Sequence, residues 1–279
     1  MRLREIADRL LRWVGHLPLV RGTMIGRVLF YRFLVLLQQR FPNGRTARRA
    51  KTNWGVEFDC TFDDNVLLQL YYMGAYSDRE IRAIVGVMKP GDVFVDVGAH
   101  VGLFSVTVAK VMGGACQIIA IEPSPATAGI LRRHGSMNGV ADSIEVVECG
   151  LWDEDTVLEL RSPHDAKGDR GRWSFFEDGE IVGSCRVRAF DDLVDEREIE
   201  IAGRIKAIKI DVEGSETRVI RGMQETIRRH CPEVIVMETV SEHLERAGSS
   251  IEELDGLMLR LGYRRKGRRR RANTLYERC

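Results

Sequence analysis

The 279 residues are enough for one large domain, or for one domain with a small appendage. Hydrophobic residues make up 44% of the chain and charged residues 30%, which is typical of a globular protein and excludes a disordered or collagen-like chain. The 42 basic and 41 acidic side chains leave a formal net charge of +1, so the overall charge favours neither a nucleic-acid binder nor an acid-rich partner.

Positive charge is concentrated at the two ends of the chain. Residues 1–51 contain twelve basic side chains and residues 264–271 contain seven, whereas the middle is correspondingly acidic. This distribution predicts a central catalytic domain whose basic flanks can meet an anionic surface. The run at 264–271 is compatible with a solvated hairpin turn, a site for an anionic substrate, or a membrane surface. Nucleic acid is not expected as a partner, because no basic patch is interleaved with stacking aromatic residues.

The cysteines and the apolar runs indicate the cellular compartment. The six cysteines are scattered and lack the spacing of a metal site, so we predict reduced thiols in a cytoplasmic protein. The apolar run at 28–37 is too short to span a bilayer and contains Arg32. It is predicted to be a buried helix. Alternatively, because Trp13 and several arginines flank it, it is an interfacial helix of a protein peripheral to a membrane.

In chain order, residues 1–50 are predicted to form a basic helical extension, and residues 51–279 the main domain. At the start of that domain, residues 55–61 alternate apolar and polar side chains as an edge strand does. Residues 64–72 are compatible with a helix or a strand, and an amphipathic helix is predicted from residue 78 to about residue 88.

Strands and helices then alternate regularly. The apolar runs predicted to be buried strands are Val93–Val97, Gln117–Ile121, Ile144–Val147, Ile205–Ile210 and Glu233–Met237. The helices predicted between them are Leu103–Met112, Pro125–Asn138 and Ser215–Arg229. This order predicts an α/β fold with a mostly parallel sheet and right-handed crossovers.

Two further segments are predicted to be hairpins. Residues 150–200 interrupt the alternation, and we predict an inserted hairpin there, with strands Thr156–Arg161 and Cys185–Ala189 and a mobile loop at 162–183. In that loop Arg170, Arg172 and Trp173 are candidates for substrate contacts. Residues 262–276 predict a C-terminal two-stranded hairpin with a basic turn.

The turn after the first strand of the alternating series carries the first functional signal. Asp96-x-Gly98-x-x-x-Gly102 runs from a strand into a helix, where glycines allow close approach and the helix offers free N–H groups. The dinucleotide pattern G-x-G-x-x-G is absent, and Asp96 would repel a phosphate but suits a cationic amino group. The alternative is a plain strand-to-helix turn.

A second acid supports a ligand site at the same edge of the sheet. Glu122 ends the second strand, 122 − 96 = 26 residues after Asp96. An acid at this place in doubly wound sheets accepts hydrogen bonds from ribose hydroxyls. Together the two signals predict a site for a nucleoside joined to an amino acid.

Several segments of the chain resemble the FkbM family of methyltransferases. The resemblance is carried by residues 92–102, 121–124 and 208–216, and it continues at 232–238 and at Gly74-Ala75-Tyr76. It covers roughly residues 55–279, and Lys-Ile-Asp-Val-Glu-Gly at 209–214 is its most family-specific part. The family usually has asparagine where His100 stands.

This resemblance implies a Rossmann-like class I methyltransferase fold with S-adenosylmethionine as the cofactor. The implied sheet is seven-stranded and mostly parallel, has helices on both faces and ends in an antiparallel hairpin. The residues assigned to cofactor binding are Asp96, Gly98, Ala99, His100, Gly102, Glu122, Pro123, Glu148 and Cys149. Glu148 and Cys149 are expected near the adenine.

Asp211 and Glu213 follow the fourth strand, at the edge where α/β enzymes bind their ligands. An alcohol is a weak nucleophile until a base accepts its proton, so Asp211 is predicted to be the general base, with Glu213 second and His100 third. The alternative is that the two acids cap the next helix. Lys209 either orients a carboxylate or extends its amine to solvent. Two neighbouring carboxylates also leave a Mg²⁺ site open, although we predict no metal.

The sequence therefore predicts an S-adenosylmethionine-dependent O-methyltransferase. Its expected acceptor is a hydroxyl of a saccharide, a glycolipid or a secondary metabolite. The alternatives are a protein or RNA methyltransferase and a non-catalytic, cofactor-binding module at a membrane surface. The absence of an Asn/Asp-Pro-Pro-Tyr/Phe motif disfavours methylation of amino groups on bases.

Overall fold

The computed structural model describes residues 2–21, 23–40, 47–164, 169–267 and 273–279. The chain divides into two compact units, Met1–Asp78 and Arg79–Cys279. The predicted extension at 1–50 therefore lies in the first unit, together with the segment that follows it.

The first unit combines helices with a short hairpin. Its elements are α1 (Arg2–Gly15), α2 (Pro18–Arg21), α3 (Met24–Arg40), β1 (Arg48–Lys51), β2 (Glu57–Cys60) and α4 (Asn65–Met73). β1 and β2 pair antiparallel, as the alternation at 55–61 predicts for a strand. The ambiguous segment at 64–72 is helical because the Asp64 side chain caps its first turn and Gly74, with φ +64°, ends it. The hydroxyls of Tyr71 and Tyr72 donate to Asp8 over 2.6 and 3.0 Å, which fastens α4 to α1.

The second unit contains the alternating strands and helices. Its elements are α5 (Asp78–Val85), β3 (Val93–Val97), α6 (Leu103–Val111), β4 (Gln117–Ile121), α7 (Pro125–Met137), β5 (Ile144–Val147), β6 (Gly150–Leu151), β7 (Thr156–Pro163), β8 (Gly179–Arg188), α8 (Phe190–Asp195), β9 (Ile205–Ile210), α9 (Glu216–Arg221), α10 (Gln224–His230), β10 (Val234–Glu238), α11 (Ser241–Arg246), α12 (Ile251–Arg260), β11 (Tyr263–Lys266) and β12 (Asn273–Arg278).

Within the described residues, seven of these strands form one sheet in the order β11-β12-β10-β9-β3-β4-β5. The five strands from β10 to β5 are parallel, whereas β12 runs antiparallel to both β10 and β11. Val95 and Ile208 pack on one face in a core that includes side chains of α9, α10 and α12. Ala120 packs on the other face against Leu131 of α7. The predicted mostly parallel sheet with a C-terminal antiparallel hairpin is confirmed.

Two predicted elements differ from the structure, and tertiary contacts explain the differences. The single helix predicted at 215–229 is wrong, because α9 and α10 are separate helices. The carbonyl of Gly222 accepts from the N–H of Asp191 over 3.0 Å, and the Asp191 carboxylate accepts from the N–H groups of Glu225 and Thr226 at the start of α10. The mobile loop predicted at 162–183 is wrong in part, since β7 and β8 pair from Thr156↔Val187 to Pro163↔Gly179. Most of β8 is exposed, so the backbone ladder defines this strand and no apolar alternation reveals it.

The basic C-terminal turn is described only in part. Residues 268–271 of the arginine run lie outside the described residues. Arg265, on β11, lies 2.9 Å from Asp255 and donates to the hydroxyl of Tyr276 over 2.8 Å. This arginine therefore joins β11 to α12 and β12. None of the described helices has the length and hydropathy needed to cross a bilayer.

Candidate active site

A cleft of about 630 Å³, including solvent at its open side, lies at the carboxyl ends of β3, β4 and β9. This volume falls within the range of about 300–1,000 Å³ that small-molecule sites occupy. The predicted site residues that line it are Gly98, His100, Glu122, Pro123, Cys149, Asp211 and Glu213. Four others, Asp96, Ala99, Gly102 and Glu148, are not among the lining residues.

The loop after β3 packs directly on the loop after β9. Gly98 has φ +71°, and a Cβ on it would lie 2.0 Å from the carbonyl oxygen of Asp211. Gly102 begins α6 with φ +86°, where a Cβ would lie 2.8 Å from the Leu131 side chain. Both glycines therefore serve close packing of the polypeptide. Ala99 is held by its N–H, which donates to the carbonyl of Ile121 over 2.9 Å.

Asp96 is fully buried beneath this loop and does not face the cleft. Its Oδ2 accepts from the backbone N–H of Ser105 over 3.0 Å and from the Ser105 hydroxyl over 2.6 Å. Its Oδ1 lies 3.5 Å from Nζ of Lys209. Asp96 therefore supports the first turn of α6 and the Lys209 ammonium, and its contact with the cofactor stays a prediction.

Lys209 does not extend to solvent. Its Nζ donates to the carbonyl of Gly98 over 2.6 Å and to that of Val97 over 3.2 Å. Burial lowers the pKa of Lys209, but Asp211 and Asp96 outweigh this effect and the net pKa is raised. A charged ammonium therefore fixes the glycine turn from below and neutralises part of the acidic site.

Glu122 is a buried carboxylate that lines the cleft. It accepts from the N–H of His100 over 2.8 Å and from the N–H of Ser124 over 3.0 Å. Burial raises its pKa, and the nearby His100 opposes that rise. A carboxylate has about four acceptor positions, so two hydrogen bonds leave capacity for a ligand's hydroxyl groups.

Glu213, which lines the cleft, belongs to a cluster with a second acid and a histidine. Nδ1 of His243, on α11, is 3.0 Å from Oε2 of Glu213 and 3.2 Å from Oε2 of Glu238. Hydrogen bonds to these two carboxylates raise the pKa of His243 to about 10. Burial raises the pKa of both acids. Glu238, which ends β10, and His243 are not among the residues that line the cleft, and no sequence signal pointed to His243.

Glu213, Glu238 and His243 offer three ligand atoms within 4.8 Å of one another, a spacing that could hold a metal ion. A histidine that binds a metal must be neutral. The two carboxylates raise the pKa of His243 to about 10, and a protonated His243 would itself balance their charge. The absence of a metal site stays a prediction.

The loop at 211–214 is held by another acid. Glu216 is fully buried, accepts from the N–H groups of Val212 and Gly214 over 3.1 and 3.4 Å, and has its pKa raised by burial to about 7. In the described part of the chain no side-chain hydrogen bond caps α9. The capping alternative for Asp211 and Glu213 is therefore not what the structure shows, and Asp211 keeps a third of its side chain exposed.

The inserted hairpin supplies one wall of the cleft. Arg170, Gly171, Trp173, Ser174 and Phe175 are its lining residues. Ser174 Oγ donates to the carbonyl of Glu213 over 2.8 Å, which joins the insert to the acidic loop. Nε1 of Trp173 is buried and has no hydrogen-bond partner among the described residues. Of the three substrate-contact candidates in the insert, Arg170 and Trp173 line the cleft and the exposed Arg172 does not.

Two residues, Glu148 and Cys149, were expected near an adenine, and only Cys149 lines the cleft. Cys149 is buried in the wall, and burial raises its pKa to about 11, so it presents a neutral thiol. Glu148 forms an ion pair with Arg132 and is not among the residues that line the cleft. Its contact with an adenine stays a prediction.

A mostly parallel sheet ending in an antiparallel hairpin, with a glycine turn after β3 and a buried acid after β4, defines a Rossmann-like class I methyltransferase fold. The chain belongs to the FkbM methyltransferase family, because the sequence model of the Methyltransferase FkbM domain matches residues 96–265. The predicted family is thus confirmed.

Three similar proteins share 19–27% of their aligned residues with this chain. The 31-O-demethyl-FK506 methyltransferase FkbM of Streptomyces tacrolimicus is 27% identical over 215 residues, which cover 67% of this chain and 75% of that protein. Methyltransferase sdnD of Sordaria araneosa is 26% identical over 156 residues, covering 47% of this chain and 60% of that one. The crystal structure of methyltransferase FkbM from Methylobacillus flagellatus KT shares 19% identity at a TM-score of 0.47, over 91% of this chain and 59% of that chain.

Proposed function

We propose that this protein transfers a methyl group from S-adenosylmethionine to a hydroxyl group of a saccharide, a glycolipid or a secondary metabolite. The main support for the proposal is that the buried Glu122 lines the same cleft as the acidic residues Asp211 and Glu213. Family membership supports methyl transfer. The name of the S. tacrolimicus relative, which refers to an O-demethyl compound, supports an oxygen acceptor.

The cleft has the chemistry that this cofactor requires. Glu122 would accept hydrogen bonds from the ribose hydroxyls, and Cys149 and Leu151 would provide an apolar wall beside them. The acids that line the cleft would attract the cationic amino group and repel a phosphate. When bound, S-adenosylmethionine supplies a sulfonium methyl group that is open to in-line displacement.

Asp211 is the proposed general base. Its carboxylate lines the cleft, and among the described residues its ion pair is a long one, 3.9 Å from the ammonium of Lys209. Glu213 is already engaged by His243 at 3.0 Å, although its raised pKa would favour proton uptake. The hydroxyl proton of the acceptor would move to Asp211 as the oxygen attacks. His100 is the third candidate, and its ring lies beside the insert, 3.4 Å from where a Cβ on Gly171 would stand.

Three substitutions separate these roles. Acceptors are first found by incubating the protein with a cell extract and methyl-labelled S-adenosylmethionine. Asp211→Asn is then expected to lower kcat by about 10²–10⁴, with a much smaller change in the dissociation constant of the cofactor. Glu213→Gln is expected to lose less activity, and His100→Asn, which introduces the residue usual in the family, to retain most of it. Full turnover by Asp211→Asn would show that Asp211 is not the base.

A further inference from the structure

The first unit exposes apolar side chains in an arrangement that a water-exposed helix does not normally have. On α1, Ile6, Leu10 and Trp13 are 61%, 57% and 62% exposed, and their i, i+4, i+7 spacing places them on one face. The opposite side of α1 is polar: Asp8 accepts from two tyrosine hydroxyls, and the Arg12 guanidinium lies 4.7 Å from the ring centroid of Tyr71. This amphipathic helix therefore turns its polar face to the protein and its apolar face outward.

A second helix of the same unit shows a related arrangement. On α3, Phe30 and Leu34 are buried, whereas Ile25, Leu29 and Phe33 are exposed at i, i+4, i+8 spacing and Leu36 lies on the same side. A helix with large apolar side chains on two sides is normally covered on both of them. In the described part of the chain, only one side of α3 is covered.

Charge indicates what covers these faces. Residues 2–40 contain eight basic and two acidic side chains, a net charge of 8 − 2 = +6. Arg9 lies beside the outward face of α1 and Arg32 within that of α3, and both are exposed. An uncharged apolar patch of a protein partner would cover the apolar side chains but would gain nothing from this charge. An anionic lipid surface uses both, with apolar side chains among the acyl chains and guanidinium groups at the phosphates.

We propose that α1 and α3 bind in the plane of an anionic membrane through these outward faces. The helices have 14 and 17 residues, and about 20 apolar residues are needed to span a bilayer, so they lie on the membrane rather than across it. This proposal does not depend on the proposed methyl transfer.

The test is co-sedimentation of the full chain with phosphatidylcholine vesicles, made with or without phosphatidylglycerol. The protein is expected to bind the anionic vesicles and to remain in solution with the neutral ones. Binding is expected to weaken as NaCl is raised from about 0.1 M to about 1 M, because the Debye length falls from about 10 Å to about 3 Å.

Variants of each helix test the two faces separately. Leu10→Glu and Leu29→Glu are each expected to weaken partitioning into anionic vesicles about tenfold or more. The matched control is Leu259→Glu, at an equally exposed leucine (63%) on α12, which is expected to bind as the wild type does. Arg9→Gln and Arg32→Gln remove charge without changing the apolar face, and each is expected to weaken binding about fivefold. Thermal unfolding and circular dichroism verify that every variant is folded.

Three results would overturn the proposal. The first is no binding to anionic vesicles at low salt. The second is equal, salt-independent binding to neutral and anionic vesicles, which would indicate adsorption without recognition of charge. The third is a wild-type dimer in sedimentation equilibrium that Leu10→Glu or Leu29→Glu dissociates, with no vesicle binding by either form, since the faces would then join two copies of the chain.

Discussion

Replacing Gly98 with alanine tests how closely the two loops of the cleft pack. Gly98 has φ +71°, and an added Cβ would lie 2.0 Å from the Asp211 carbonyl oxygen, where real Cβ contacts are longer than 3.0 Å. The left-handed conformation costs an L-residue about 1–2 kcal/mol. Separating two packed backbone segments costs about 1–3 kcal/mol more. The free energy of unfolding in Gly98→Ala is therefore expected to fall by about 2–5 kcal/mol.

Urea unfolding of Gly98→Ala and Gly114→Ala measures the two contributions separately. Gly114 has a similar φ of +75° but no atom within 4 Å of an added Cβ, so only the conformational cost of about 1–2 kcal/mol applies there. Gly98→Ala is expected to be the less stable variant by about 1–3 kcal/mol, and it alone is expected to lose affinity for S-adenosylmethionine. Equal unfolding midpoints would refute the close contact between the loops.

The charged groups around the cleft give two further predictions. The pKa of His243 is raised from 6.5 to about 10, so its stabilising contribution is complete below pH 6.5 and is lost as pH rises towards 10. The stability advantage of the wild type over His243→Gln should therefore shrink across this window in urea unfolding, and a constant difference would contradict the ion-pair assignment. Lys209→Met leaves the buried Asp96 without its countercharge and should cost about 3–5 kcal/mol. Adding Asp96→Asn should recover part of that loss, whereas simple additivity of the two losses would contradict their coupling.

The central sheet could be predicted because its strands are buried on both faces. All five residues of β3 are buried, and such continuous apolar runs between helical segments are readable from the sequence alone. The break between α9 and α10 could not be predicted, because it depends on hydrogen bonds to Asp191, which lies on α8. The full length of β8 was hidden because that strand has few buried side chains to mark its period.

Site residues could be predicted where they follow the end of a parallel strand. Glu122, Asp211 and Glu213 all follow strand ends, and those ends meet at one edge of the sheet. Asp96 lies one residue before a strand end, and in β3 the side chains of Val95 and Val97 face the core shared with α9 and α10. The alternation of the strand therefore turns Asp96 to the opposite face, towards α6. His243 was unpredictable, since only the folded chain brings α11 to the acidic loop.

Calorimetric titration of the full chain with S-adenosylmethionine tests the central claim most directly. The folded wild type is expected to bind one equivalent. Glu122→Gln is expected to bind about 10- to 150-fold more weakly, because an amide replaces the charged acceptor of the ribose hydroxyls. No detectable binding by folded wild-type protein, or equal affinity in Glu122→Gln, would contradict the account of this cleft as the cofactor site.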